Sequence, residues 1–125
     1  MKKLAVALTP LLLAACVNIN VRDDGIARAR LGETVYVDGP SVTPIRVLED
    51  SRCPQDTECV WAGRVRITAR IALGAGEETR ELTMGESIQV ADGALELVET
   101  YPAARADRTI YPSEYRFGFT FSGGI

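Results

Sequence analysis

The chain has 125 residues, 46% hydrophobic and 25% charged, which suits one compact globular domain and argues against disorder. Its net charge is −3, and Lys2 and Lys3 at the extreme N-terminus are its only lysines, so the body is more acidic still. With no basic stripe, nucleic acid is not an expected partner. The absence of histidine, and of lysine beyond residue 3, excludes Ser–His–Asp and Cys–His pairs, a lysine Schiff base and a His-ligated transition metal. No cofactor is implied.

Met1, Lys2 and Lys3 precede an apolar run over residues 4–15 that contains Pro10 and ends on small residues before Cys16. A positive start, a short apolar stretch and a small-residue end predict a cleaved secretory signal helix over residues 1–15. A transmembrane helix would need about 20 apolar residues, more than this run supplies. The segment Leu13-Ala14-Ala15-Cys16 resembles the lipobox of bacterial lipoproteins. That resemblance implies cleavage before Cys16, lipid on its thiol and amine, and a membrane partner reached through that lipid. An acidic body gives no electrostatic pull toward anionic lipid, so the anchor alone would hold the protein at the membrane. Val17, where enterobacterial lipoproteins retained in the inner membrane carry Asp, implies the outer membrane facing the periplasm in a Gram-negative host.

Residues 16–24 then read as a lipidated N-terminus and short tether or edge strand, and residues 25–125 as a single β-domain. Strand candidates follow at 26–31, 33–38 and 42–49, with Gly32 and the Asp38-Gly39-Pro40 run as turns. Over residues 61–73 the alternation is strict. Trp61, Gly63, Val65, Ile67, Ala69, Ile71 and Leu73 share one face, and Arg64, Arg66, Thr68 and Arg70 the other. Gly74 and its neighbours make a turn into a partner strand at 77–84, whose Glu77, Glu78 and Glu81 are expected to face the arginines. Candidates at 86–90 and 94–101 lead to a last strand at 115–122 with Tyr115, Phe117, Phe119 and Phe121 on its apolar face. About seven or eight short strands with regular turns predict an all-β fold, a small antiparallel sandwich or barrel.

One segment is distinctive: Asp50-Ser51-Arg52-Cys53-Pro54, a short acidic loop, then Cys59-Val60-Trp61-Ala62-Gly63. With Cys16 committed to lipid, Cys53 and Cys59 are an even pair in an oxidising compartment. A disulfide between them would contribute about 2–2.5 kcal/mol by loop closure. Zinc would want four ligands, and a thioredoxin-like site two residues between the cysteines where five stand here. Calcium could draw on Asp50, Asp56 and Glu58, though not at EF-hand spacing. The motif resembles that of a group of small bacterial secreted proteins and lipoproteins, with likeness extending to Leu31-Gly32-Glu33-Thr34-Val35 and Tyr115-Arg116-Phe117. The resemblance implies no activity. Physically, Asp50 and Arg52 are expected to pair across the loop or cap it, and Trp61 to pack beside the disulfide and seal the core. On that expectation, truncating Trp61 would cost about 3–5 kcal/mol.

These residues favour a non-enzymatic, lipid-anchored envelope protein that binds another protein or serves structurally, with a loop-presenting inhibitor as one form. A carboxylate hydrolase using Glu49 with Asp50, or Glu96 with Glu99, is a weaker reading. A small-molecule or glycan binder would use Tyr101, Tyr111 and Tyr115, spread over the longest stretch without strand pattern.

Overall fold

The computed structural model describes residues 24–74 and 76–123. The leader, Cys16 and the tether up to residue 23 lie outside the described residues. The strands are β1 (Ala27–Arg30), β2 (Val35–Tyr36), β3 (Ser41–Asp50), β4 (Val65–Leu73), β5 (Gly76–Thr83), β6 (Ser87–Val90), β7 (Gly93–Tyr101) and β8 (Arg116–Gly123). They form two open four-stranded sheets, ordered β1-β8-β7-β6 and β2-β3-β4-β5, with antiparallel pairing throughout. The architecture is a sandwich rather than a closed barrel. The chain changes sheet between β1 and β2 and again between β5 and β6.

Period-two alternation builds the core. Val65, Ile67, Ala69 and Ile71 of β4 and Phe117 and Phe119 of β8 are buried and face Leu82, Leu95, Leu97 and Val42. Phe121 packs against this cluster at its margin. On the outer face of β4, Arg66 pairs with Glu49 of β3 at 2.9 Å and with Glu81 of β5, the cross-strand ladder expected of a wet sheet face.

Three sequence expectations are corrected. The strand expected to begin at Trp61 begins at Val65, because Gly63 adopts φ +71°, outside the extended region. The candidate at 33–38 shrinks to Val35–Tyr36, since Asp38 at φ +48° has already entered the turn. Glu78 does not face the β4 arginines: it lies opposite Ile71, on the inward side of edge strand β5, and pairs with Arg80 on its own strand. Inward charges on an exposed edge discourage pairing with another chain. Pro112–Glu114 forms a single 3-10 turn that the strand pattern did not reveal.

Two bulges in β3, between Pro44 and Arg46 and between Val47 and Glu49, each shift the register by one residue. A single shift would turn every later side chain to the wrong face. The pair restores phase, leaving Val47 opposite Ile67 and Asp50 opposite Val65. Between the bulges Val47 takes the inward position, and beyond them Asp50 returns to the phase of Val42 and Pro44, which puts a carboxylate on the inner side of the sandwich at its end.

Phe119→Ala is expected to destabilise the domain by about 3–5 kcal/mol, as deletion of a fully buried aromatic does. Arg66→Ala, which removes two partly exposed ion pairs on a wet sheet face, should cost about 1 kcal/mol, well below the Phe119 variant. Denaturant melts of the two variants check the contrast.

Candidate functional site

The long connections, residues 51–64 between β3 and β4 and 102–115 between β7 and β8, meet at the end of the sandwich where Asp50 turns inward. Asp50 accepts two hydrogen bonds from Arg52, from Nε to Oδ1 and from Nη2 to Oδ2, both at 2.8 Å. Tyr115 donates its hydroxyl to the same Oδ2 at 2.8 Å. Arg52 Nη1 donates to the Thr100 carbonyl oxygen of β7 at 3.1 Å. One carboxylate and one guanidinium therefore tie β3, the β3–β4 connection, β7 and the root of β8 together. Burial opposes ionisation of Asp50, yet Arg52 and the Tyr115 hydroxyl outweigh it and hold the carboxyl below its ordinary value. Burial, and then the carboxylate of Asp50, push the Tyr115 phenol up to about 12.

Ser51 organises the next layer. Its backbone N–H donates to the Arg64 carbonyl at 2.8 Å, and its hydroxyl accepts from the Arg64 N–H at 3.0 Å and donates to Glu49 at 2.8 Å. Trp61 Nε1 donates to the Ser51 carbonyl at 3.1 Å. A Cβ on Gly63 would stand 2.0 Å from that same carbonyl oxygen, so only glycine fits where the two arms of the connection cross.

Cys53 and Cys59 form a disulfide with a Cα–Cα separation of 5.9 Å. The ring leans on the other long connection: Gln55 N–H donates to the Ala104 carbonyl at 2.8 Å, and Asp56 accepts from the Ala106 N–H at 3.0 Å. Asp50 and Asp56 thus serve separate bonds. Among the described residues no group of three His, Cys, Asp or Glu is placed to hold a metal.

Trp61 does not seal the core. It is 57% exposed and Val60 is 99% exposed, so the pair stands out from the braced connection. The alternation that placed Trp61 inside assumed an unbroken strand through Gly63, and the left-handed residue there resets the phase.

Of the three tyrosines singled out, Tyr115 is buried and stacks on Phe117 at 5.5 Å, whereas Tyr101 and Tyr111 are exposed. An open depression of about 510 Å³ is lined by Ala106, Asp107, Arg108, Thr109, Tyr111 and Glu114. Glu114 closes one side, accepting from the Tyr111 N–H at 2.8 Å and pairing with Arg108. Of the carboxylates considered as acid and base, Glu49, Asp50 and Glu99 are each held by arginine. Glu49 accepts from Arg66, Ser51 and Arg64, which hold its carboxyl below the ordinary value, and Glu99 is bracketed by Arg28. Neither Glu49 nor Asp50 has the raised pKa that a general acid requires.

The sequence reading anticipated the Asp50–Arg52 pair. It missed Ser51 as the hub and Tyr115 as the second donor to Asp50, for which period-two placement gave no signal. Comparisons with protein-family models, curated proteins and solved structures find no match to this chain.

Two outcomes are expected of the lock. The contribution of Asp50, whose folded pKa is depressed, is complete above the ordinary aspartate value of 3.8 and lost as pH falls through its lower folded value. That of Tyr115, whose folded pKa is raised, is complete below 10.0 and lost as pH rises toward about 12. Tyr115→Phe keeps the stacked ring, costs about 1–2 kcal/mol at neutral pH and removes the alkaline arm. Chemical denaturation across pH measures both. Gly63→Ala should reduce stability more than Tyr115→Phe, because it combines strain at positive φ with a clash against fixed backbone.

Proposed function

We propose that the protein is a lipid-anchored cell-envelope protein of non-enzymatic type, whose β-sandwich is a protein-binding module held at the membrane through lipid on Cys16. The observation that carries the binding reading is the exposed pair Val60 and Trp61 on a connection fixed at its base. A Trp held out to solvent by a hydrogen bond from its indole N–H, beside a fully exposed Val, offers apolar area with little conformational entropy left to lose. Trp is enriched among residues that dominate binding energy, and such residues act by filling a pocket on the partner. The projecting, disulfide-closed shape suits insertion into a cleft, which favours the inhibitor-like form of this reading. The lipobox resemblance supports the lipid anchor, and Val17 after Cys16 supports the periplasmic face of the outer membrane in a Gram-negative host.

Two experiments test the two halves. Cys16→Ala should abolish membrane retention in cell fractionation while leaving the melt unchanged, and a variant that still partitions with membranes refutes the anchor. Trp61→Ala should cost less than about 2 kcal/mol, since it removes a half-exposed ring and one hydrogen bond. A photo-crosslinking residue at position 60 should give a discrete protein adduct in cells. The adduct should be absent when the probe sits at Arg70, on the outer face of the sheet, and when Trp61 is Ala. Equal labelling from both positions would show that the exposed pair is not the binding element.

A further inference from the structure

The depression beside the disulfide ring is chemically unlike the Val60 and Trp61 projection. Its lining offers one aromatic ring, two carboxylates, a guanidinium and a hydroxyl, from Tyr111, Asp107, Glu114, Arg108 and Thr109. We propose that it is a saccharide subsite, taking one pyranose unit of an oligosaccharide chain. A pyranose has an apolar C–H face that packs on an aromatic ring and a rim of hydroxyls that pair with carboxylate acceptors and guanidinium donors. Tyr111 is 64% exposed, so its ring is free to be covered. Its backbone is fixed from both sides: Ile110 packs against the core, and Glu114 accepts from the Tyr111 N–H.

The charges select against other ligand classes. Asp107 is paired with Arg105 at 3.1 Å and Glu114 with Arg108, so the lining is close to neutral overall. A phosphate or nucleotide would meet two carboxylates, and a wholly apolar ligand would strip water from an ion pair without replacing its bonds. A neutral polyhydroxylated ligand does neither. The volume falls in the ordinary range of ligand pockets, and the open shape suits a chain lying across the surface rather than an enclosed small molecule. Five of the lining residues are consecutive or nearly so in residues 106–111, and Glu114 returns over them through the 3-10 turn. The site therefore stands on one connection, independent of the Trp61 reading.

The purified full chain, titrated with chitotetraose and with cellotetraose and followed by backbone amide NMR, tests the assignment. Saturable shifts centred on residues 106–114 are expected with at least one of the two sugars. Tyr111→Ala and Tyr111→Leu should each weaken binding by about tenfold or more, Leu because it supplies bulk without a ring face. Asp107→Asn should weaken it by a few-fold, and Trp61→Ala should leave it unchanged within about twofold. The proposal is overturned if neither sugar binds saturably, if folded Tyr111 variants bind as well as the parent, or if the shifts centre on Val60 and Trp61. It is overturned equally if inorganic phosphate binds the same residues more tightly than either sugar.

Discussion

A carboxylate brought inside the end of an apolar sandwich either loses its charge or finds enough donors to keep it, and Asp50 finds three. Everything distinctive about this end of the molecule depends on that arrangement. Asp50 points inward at the end of β3, Arg52 answers it and carries Nη1 across to the Thr100 carbonyl, and Tyr115 answers from the residue just before β8. Removing any one partner would leave the others partly desolvated without compensation, which is why such clusters resist single changes more than their net contribution suggests.

Bracing follows from the lock. A connection of this length normally retains many conformations, and ordering each residue costs about 1–2 kcal/mol. Here the cost is met at folding by the disulfide, the two-way bond between Ser51 and Arg64, the crossing at Gly63 and the contacts of Gln55 and Asp56 with the neighbouring connection. What remains exposed is held in place. Binding through Val60 and Trp61, as proposed, would release water with little further ordering, the condition under which a small apolar projection gains useful affinity.

The alternation along β4 and β8 made the sandwich readable, because β4 buries alternate residues from Val65 to Ile71 and β8 buries Phe117 and Phe119, with no bulge in β4 against β5. Legibility failed where the backbone left the extended region or skipped a residue. Trp61 was placed inside by counting back through Gly63, whose positive φ is invisible to a count of apolar positions. The β3 bulges were equally hidden, since two shifts of opposite consequence leave the overall pattern looking regular. Asp50 with Arg52 was readable because the two are local in sequence. Tyr115 was not, being 65 positions from the carboxylate it serves and already accounted for by its apolar phase.

Recognition by other surfaces of the domain is disfavoured on physical grounds. At the far end, among the described residues, the connections are short: four residues join β2 to β3, and two each join β4 to β5 and β6 to β7. On the outer face, Arg66 of β4 and Arg64 just before it pair with Glu49, and Arg66 also with Glu81. Addition of a partner strand at the β5 edge would have to bury Glu78 and Arg80, which point inward there, and Arg80 already reaches the Gln89 carbonyl of β6. Strands β1 and β6, at the other sheet's margins, have four residues each, too few for strand addition alone to secure a partner. Among the described residues, the two longest connections are those that meet where Asp50 anchors them. That end carries two different surfaces, the exposed Val60 and Trp61 and the polar hollow at residues 106–114, for which protein and sugar ligands are proposed. If both proposals hold, the two ligands would have to approach the domain from the same end, because the connections that would bind them are braced against each other there.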